Sequence, residues 1–314
     1  MAKSNEIVVI GELNVDLIAS GVNTGPVLGS EVLADDFTVA LGSASAIFAC
    51  GVARLGHSVT FVSRVGNDDF GHFCLESLAE RGVATDRIEI DVQSKTGVTV
   101  VVSTAEDRAM ITFLGAIAEL SLSEVPADIF RGHRHLHLTS YYLQKALQPD
   151  FPHLLDAARG AGATTSFDPN SDPTQGRDEK VLEICRHTDI LFLNEDEARL
   201  LTGIDDIEAA GRQLNELCPT VAIKLGAKGA IGFQESKMVR VEGFKIDAVD
   251  STGAGDSFAA GFVHAFLDGG DLRKCLTIGN ACGAFSASRP GGTDGQPDPE
   301  ELERFLMYAS LRAQ

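Results

Sequence analysis

The sequence lacks the marks of several common protein classes. It contains no stretch of about 18 consecutive apolar residues, which a membrane-spanning helix requires. No charged segment followed by a long apolar segment precedes the first strand-like run at 7–11, so we expect no signal peptide. That run is not followed by the GxGxxG pattern of a nucleotide-binding dehydrogenase, and no GxxxxGK pattern of a P-loop kinase occurs.

Positive charge is also scarce. The chain of 314 residues carries 26 Lys and Arg against 45 Asp and Glu, which gives a formal net charge of −19. A surface of this sign repels the phosphates of nucleic acids and the headgroups of anionic lipids. We therefore expect neither a nucleic acid nor a membrane as the main partner.

The cysteines include no CxxC pair, the spacing that metal sites and redox motifs use. Most lie in apolar or helical contexts, so we predict buried free thiols and a protein of the reducing cytoplasm. The six residues are Cys50, Cys74, Cys185, Cys218, Cys275 and Cys282.

Strand-like apolar runs alternate with helix-like segments along most of the chain. This order predicts an α/β fold with a mostly parallel central sheet and helices on both faces. Two segments break the alternation: 97–115 reads as two strands around a polar turn at 105–108, and 15–39 looks extended. Together they predict a small separate sheet, which could serve as a lid or as an interface.

The segment DSTGAGDSFAAGFVHAF, at 250–266, carries the strongest local pattern. Gly253, Ala254 and Gly255 can turn tightly and direct backbone N–H groups outward at the positive end of the following helix, where anions bind. Asp256 then suits a base that accepts a proton from a hydroxyl attacking a phosphoryl group. It equally suits an ordinary helix-capping aspartate after a glycine-rich turn.

This segment resembles the second signature of the ribokinase, or PfkB, family of carbohydrate kinases, and further matches run in family order from Gly11 to Arg289. The resemblance implies one ribokinase-like domain over 1–314: three layers around a mostly parallel sheet, with a β-lid at about 15–39 and 97–115. It also implies ATP, Mg²⁺ and phosphorylation of a sugar or nucleoside hydroxyl. Asp256 would be the base, and Gly253, Ala254 and Gly255 the anion hole.

Two further segments resemble the nucleotide side of the family. Asn194 and Glu197 match its NxxE motif, which organises Mg²⁺ and phosphate through water, although an acidic helix start would look the same. In KLGAKGA, Gly226 and Gly229 resemble the turn against which the nucleotide lies. Lys224, just before that turn, suits either a phosphate contact or a solvated strand end.

The C-terminal matches concern the adenine ring of the nucleotide and a monovalent cation. Asn280 matches a position near the adenine, while the small residues beside it also suit a closely packed helix. Asp250 and Thr252, with the carbonyls after Ser286, fall where many relatives hold a monovalent cation such as K⁺.

The acceptor side is predicted from GELNVD. Asn14 and Asp16 are two apart on an extended segment, so their side chains face the same way and can bind adjacent hydroxyls. A turn after a strand is the alternative. Gly42 matches the start of the first family signature, where backbone lies against the sugar.

The sequence departs from the family pattern at this signature. Ser43 stands in place of a second glycine, and Ile47 in place of an asparagine. We therefore expect the phosphoryl-transfer residues to be intact but the preferred acceptor to differ from ribose. Additional candidates for lining the pocket are Phe113, Ser140, Tyr141 and Asn170.

Two alternatives and one assembly prediction complete the sequence interpretation. A nucleoside kinase of the same fold is an alternative, because the stretch RAMITFLGA resembles some of these enzymes; a non-catalytic sugar-binding member is another. Apolar strands such as VTVVV on a thin sheet need cover, which predicts a homodimer through the lid.

Overall fold

The computed structural model describes residues 6–104, 108–172, 177–289 and 291–312, with side chains described as far as 308. Residues 105–107 of the predicted polar turn and the segment before residue 6 lie outside this range. Thirteen strands occur in the described residues: β1 Ile7–Ile10, β2 Asn14–Ser20, β3 Asp36–Leu41, β4 Val59–Gly66, β5 Ile88–Asp91, β6 Gly97–Ser103, β7 Arg108–Phe113, β8 His135–Thr139, β9 Thr164–Asp168, β10 Ile190–Asn194, β11 Thr220–Lys224, β12 Ala230–Gln234 and β13 Lys237–Val241.

Nine strands form the central sheet in the order β13-β12-β11-β10-β9-β8-β1-β4-β5. The pairings from β11 through β1 to β5 are parallel, whereas β12 and β13 are joined to the edge as an antiparallel meander. The predicted mostly parallel sheet is therefore confirmed.

Helices cover both faces of this sheet. In β1, Ile7 and Val9 belong to one buried cluster, while Val8 and Ile10 belong to the other. Because successive side chains of a strand point to opposite faces, this split shows two cores and hence three layers. The helices are α1 Ala44–Arg54, α2 Asp69–Glu80, α3 Phe151–Gly160, α4 Glu179–Arg186, α5 Glu195–Thr202, α6 Ile207–Asn215, α7 Ala254–Leu267, α8 Leu272–Ala287 and α9 Pro299–Arg312.

The remaining strands form a second, small sheet in the order β3-β2-β6-β7. The predicted separate sheet is thus confirmed, although the described residues 21–35 between β2 and β3 form turns and irregular segments rather than strand. Its pairing aligns Asp16 with Thr99 and Thr99 with Thr112, which places a polar row on one face. The opposite face carries an apolar row: Val39, Leu17, Val100 and Ile111.

All six cysteines are buried and free, as the sequence predicts. Among the described residues, no helix combines the length and the apolarity needed to cross a bilayer.

Close packing between α7 and α8 sets the position of α7, the helix that begins at the predicted anion hole. A Cβ atom added at Gly261 would lie 2.7 Å from the Cys282 Sγ and 2.9 Å from the Ile278 carbonyl oxygen. At Gly279, an added Cβ would lie 2.9 Å from the Phe258 ring. Glycine at these positions therefore lets the two helices approach each other more closely than alanine would.

We predict that Gly261→Ala destabilises the protein by about 1–3 kcal/mol relative to Gly160→Ala, because overpacking forces neighbouring groups to shift. Gly160 is the control, since a Cβ there meets nothing within 4 Å. Both positions are helical, so any gain in helix propensity acts in the same direction in both variants. Denaturant unfolding monitored by circular dichroism measures the difference, and equal midpoints would contradict the packing argument.

Candidate active site

The predicted anion hole forms at the start of α7. Gly253 is the residue before the helix and has a left-handed backbone with φ of 69°, which favours glycine. A Cβ at this position would also lie 2.7 Å from the Cα of Gly292, so space as well as conformation requires glycine. Asp256 follows in the first turn of α7, where backbone N–H groups and the helix dipole favour negative charge.

Asp256 lies within a group of charged side chains. Burial raises the pKa of its carboxyl to about 7, and the nearby carboxylate of Asp168 acts in the same direction. The Lys224 ammonium opposes this rise, while Glu12 and Glu197 add to it. The environment therefore gives this carboxyl a pKa close to neutral pH, where it can both lose and accept a proton.

Lys224 ends β11 and lies directly against the anion-hole turn. Its Nζ donates to Oδ2 of Asp168 at 2.6 Å, and both side chains are largely buried. A Cβ at Gly255 would lie 3.3 Å from the same Nζ, so the absence of a side chain there leaves room for the lysine. Burial disfavours the charged form of Lys224, but Asp168 and Glu197 outweigh burial and raise its pKa.

Asn194 and Glu197 form a reciprocal capping box at the start of α5. The Asn194 side chain accepts from the Glu197 N–H at 2.9 Å, and the Glu197 carboxylate accepts from the Asn194 N–H at 2.8 Å. Burial, followed by the charge of Asp168, raises the pKa of Glu197 to about 7. The helix-start interpretation of NxxE is therefore correct as geometry. The motif also places a buried carboxylate close enough to Asp168 and Lys224 to interact with them electrostatically.

A cavity of about 560 Å³ adjoins the anion-hole turn, within the usual range for small-molecule sites. Its lining includes all four nucleotide-side residues predicted from KLGAKGA and GNACGA: Lys224, Gly226, Gly229 and Asn280. The sequence interpretation missed the neighbouring wall formed by Phe244, Lys245 and Ile246. That wall follows β13 without a motif, so only the folded chain reveals it.

Asn280 acts on the shape of this cavity through the backbone. Its Nδ2 donates to the carbonyl oxygens of Val241 and Glu242, both at 3.3 Å. The segment it holds packs tightly against the glycine turn, because a Cβ at Gly229 would lie 2.1 Å from the Val241 carbonyl oxygen. The cavity walls are mostly apolar or glycine and leave space suited to a flat ring, while the part lined by Lys224 and Gly255 offers positive charge and backbone N–H groups suited to an anion.

The predicted acceptor residues converge at the base of the small sheet. The Asn14 Nδ2 donates to Asp16 Oδ1 at 2.9 Å and to Thr99 Oγ1 at 3.4 Å. A Cβ at Gly42 would lie 2.2 Å from Asp16 Oδ1, so this backbone must be glycine to lie against the pair. Burial raises the pKa of Asp16 to about 6. Thr99 was not predicted, because it reaches the pair only through the strand register.

The departure from the family pattern has a structural explanation at Ser43. Its φ is 73°, in the region that glycine prefers, and its hydroxyl both accepts from the Ala46 N–H at 2.9 Å and donates to the Glu12 carbonyl at 2.6 Å. Ser43 therefore caps the N-terminus of α1. Ile47 is buried, and a Cβ at Gly253 would lie 3.0 Å from its Cγ2. The isoleucine thus packs against the anion-hole turn.

Glu12 was not selected from the sequence, although it lies two residues before Asn14. Its buried carboxylate accepts from the Ser45 N–H at 3.2 Å, from the Ser45 hydroxyl, and from Ser140 Oγ at 2.8 Å. Burial raises its pKa. This carboxylate joins the end of β1 to the start of α1 and to the end of β8, and so fixes the floor beside the acceptor residues.

The four additional pocket candidates separate into two groups. Ser140 and Asn170 lie together, since the Ser140 N–H donates to Asn170 Oδ1 at 3.0 Å, and Ser140 contacts Glu12. Phe113 pairs with Val98, on the face of the small sheet opposite Asp16, and is 54% exposed. Tyr141 is buried with its ring against Phe151 and Phe167. The prediction that Phe113 and Tyr141 line the acceptor site is therefore wrong.

A loop before the anion hole connects to the small sheet. Asp250 accepts from the N–H groups of Thr252 at 2.9 Å and Gly291 at 3.0 Å. Burial acts against ionisation of Asp250, but these hydrogen bonds prevail and lower its pKa. The Arg108 guanidinium, from β7, donates to Thr252 Oγ1 at 2.7 Å. Strand β7 is thereby tied to the loop that leads into the anion hole.

Comparison with known proteins agrees with this geometry. The family profile described as pfkB family carbohydrate kinase matches residues 4–299. The chain is 35% identical to a 2-dehydro-3-deoxygluconokinase of Bacillus subtilis (86% of this chain, 87% of the relative). It is 30% identical to a fructokinase of Escherichia coli (83% of this chain, 90% of the relative).

A solved structure shows the same fold with nucleotide. An E. coli protein described as a candidate Ribokinase II, in complex with ATP and Mg²⁺, superposes with a TM-score of 0.86 at 28% identity, covering 97% of this chain and 99% of that one. The match over nearly the whole chain, the ribokinase-like fold and the kinase names of the relatives all agree. The chain therefore belongs to the pfkB family of carbohydrate kinases.

Proposed function

We propose that this carbohydrate kinase uses Asp256 as its catalytic base, with the turn at Gly253, Ala254 and Gly255 as the anion hole. The observation that carries the proposal is the position of the Asp256 carboxyl, in the first turn of α7 and beside Lys224. A base with a pKa near the working pH combines the correct charge state with enough basicity. The pKa of about 7 for Asp256 meets this condition.

The nucleotide would occupy the cavity of about 560 Å³ with its phosphates directed toward Lys224 and Gly255. Asn280 and the turn from Gly226 to Gly229 would hold the base and ribose. Glu197 and Asn194 would organise Mg²⁺ through water, and the bound Mg²⁺–ATP would supply the phosphoryl group and neutralise part of its charge. The side chains present fit this group, because a largely buried lysine and the N-terminus of α7 both line the cavity.

We propose that Asp250 and Thr252, with the carbonyls after Ser286, hold a monovalent cation such as K⁺; the Ala287 carbonyl lies beside Asp250, whose N–H donates to it at 3.2 Å. A Cβ at Gly295 would lie 2.7 Å from the carbonyl oxygens of both Phe285 and Ser286, so glycine leaves these oxygens room to face a shared space. We also place the reaction in the cytoplasm, because six buried free thiols suit a reducing compartment.

We predict that Asp256→Asn lowers kcat by at least ~10²-fold, the scale of general-base catalysis, while ATP binding and folding are retained. Asp69→Asn is the matched control, since Asp69 also lies in the first turn of a helix but at an exposed position. Steady-state kinetics with ATP titration and circular dichroism measure the three quantities. Near-normal turnover in Asp256→Asn would refute the assignment of Asp256 as the catalytic base.

The acceptor would be a polyhydroxylated sugar or a modified sugar, held by Asn14 and Asp16. Thr99 and Thr112 extend the polar row, and their hydroxyls lie 3.1 Å apart. Gly42 would lie against the ring, and Ser43 would keep this backbone in place. Ile47 offers no hydrogen bond where relatives carry an asparagine, and this changes which acceptor is favoured.

We predict that ribose is a poor acceptor, because losing one hydrogen-bonding partner shifts preference by roughly 1–3 kcal/mol. A panel of ribose, fructose, 2-dehydro-3-deoxygluconate and adenosine should give the highest kcat/KM for a sugar or sugar acid other than ribose. Asp16→Ala should raise the KM of that acceptor. The highest kcat/KM for ribose would refute the specificity argument, and the highest for adenosine would favour the nucleoside alternative.

We further propose that the small sheet acts as a lid over the acceptor and pairs with the same sheet of a second copy. Three residues of its apolar row are solvent-exposed, Ile111 to 67%, Val39 to 40% and Val100 to 38%, while Leu17 packs against the core. Phe37 and Phe113, on the same face, are 60% and 54% exposed. A thin sheet with such a face needs apolar cover, and a symmetric partner supplies it with the same residues.

We predict a dimeric mass in light scattering at micromolar concentration and a monomeric mass for Ile111→Lys, because a buried lysine would lack a partner at the interface. Met238→Lys is the control, since Met238 is an exposed apolar residue on the edge of the central sheet. A monomeric wild-type protein would contradict the pairing.

A further inference from the structure

Asp168, at the end of β9, has no role in any motif of the sequence, yet both of its carboxylate oxygens are in use. Its Oδ2 accepts from Lys224 Nζ at 2.6 Å, and its Oδ1 accepts from the Asn170 N–H at 3.2 Å. The side chain is 2% exposed. Burying an ionised carboxylate costs free energy that pairing and hydrogen bonding must offset, which points to a role for this charge.

The strand order requires the Lys224 side chain to reach across a neighbouring strand to contact Asp168. Strands β9, β10 and β11 are neighbours, and the register places Lys224 beside Asn194 of β10. The lysine side chain must therefore cross β10 to reach Asp168 on the far side. Along this path its stem and ammonium pass close to Gly255: a Cβ added at Gly255 would lie 3.3 Å from Nζ and 3.6 Å from Cδ.

We propose that Asp168 is a positioning residue for phosphoryl transfer: it holds the Lys224 ammonium below the anion-hole turn, facing the group that is transferred. The proposal rests on the proposed function. A lysine is a compact charge on a flexible stem, so a fixed partner is needed to hold the ammonium in one place. Phosphoryl transfer depends chiefly on the positioning of such charges, which gives this partner a kinetic role.

The same pair acts on Asp256 with opposite signs. The Asp168 carboxylate raises the pKa of Asp256, and the Lys224 ammonium lowers it; Glu12 and Glu197 are the other charged groups that face it. Ionised Asp256 is the active form, so activity falls as the pH drops through its pKa. Removing the charge of Asp168 should move this fall to lower pH, whereas removing that of Lys224 should move it to higher pH.

Two single variants test the proposal. We expect Asp168→Asn to lower kcat on the order of 10²-fold, the cost of misplacing a catalytic group by about 1 Å, with a smaller change in the acceptor KM. We expect the midpoint of the acid limb of kcat/KM to move down in Asp168→Asn and up in Lys224→Gln. Asp189→Asn is the control, because Asp189 lies at the opposite end of the same sheet and bonds Thr165.

A pair needed only for folding would not shift the two midpoints in opposite directions. Unchanged kcat in Asp168→Asn, or midpoints that move in the same direction, would overturn the proposal. A raised Mg²⁺ requirement in Asp168→Asn with an unmoved acid limb would also overturn it, since Asp168 would then serve the metal.

If Asp168→Asn does not fold, the double variant Asp168→Asn/Lys224→Gln removes both charges together. It should fold, keep a midpoint near that of the wild type and retain the low kcat; a normal kcat would overturn the proposal. Asp256→Asn distinguishes this failure from that of the proposed function. An active Asp256→Asn would refute the base itself, whereas an inactive one beside a fully active Asp168→Asn would refute only the role of Asp168.

Discussion

The charge balance at the carboxyl end of the central sheet governs the candidate site. Asp168, Glu197 and Asp256 lie near the Lys224 ammonium; their charges outweigh burial and raise the pKa of the lysine, and the lysine in turn opposes the rise in the pKa of Glu197 and of Asp256. Without the lysine, the carboxyls of Glu197 and Asp256 would hold their protons more strongly, because its ammonium favours their ionised forms. The dipole of α7 adds positive potential at the start of this helix. Gly255, which has no side chain, leaves room there for the Lys224 ammonium.

The sequence predicts the parts of this site that lie within one short segment. The turn at Gly253 and the NxxE pair are fixed by backbone preferences of neighbouring residues, so their geometry follows from local rules. The layered fold is likewise predicted, because periodic apolar segments report which faces are buried. Asp168 could not be predicted in the same way, since its partner lies 56 residues later and reaches it only across an intervening strand.

Errors in the sequence interpretation have the same origin. Phe113 ends a strand of the small sheet, but its face is set by the register with β6, and a shift of one residue would reverse it. Tyr141 follows a strand whose end lies at the site, yet its ring packs beside Phe167 in the core cluster that contains Val8 and Ile10. Position along the chain identifies the correct end of the sheet; the direction of each side chain depends on partners that are distant in sequence.

The hydrogen bond between Arg108 and Thr252 connects the two proposed halves of the site. One end belongs to the sheet that carries the proposed acceptor residues, and the other to the loop that enters the proposed anion hole. Any movement of that sheet that breaks this bond removes one of the hydrogen bonds that hold the loop, beside those that Asp250 accepts from Thr252 and Gly291. By linkage, a nucleotide that favours the tied loop must then tighten the binding of the acceptor, and the acceptor must tighten the binding of the nucleotide by the same factor.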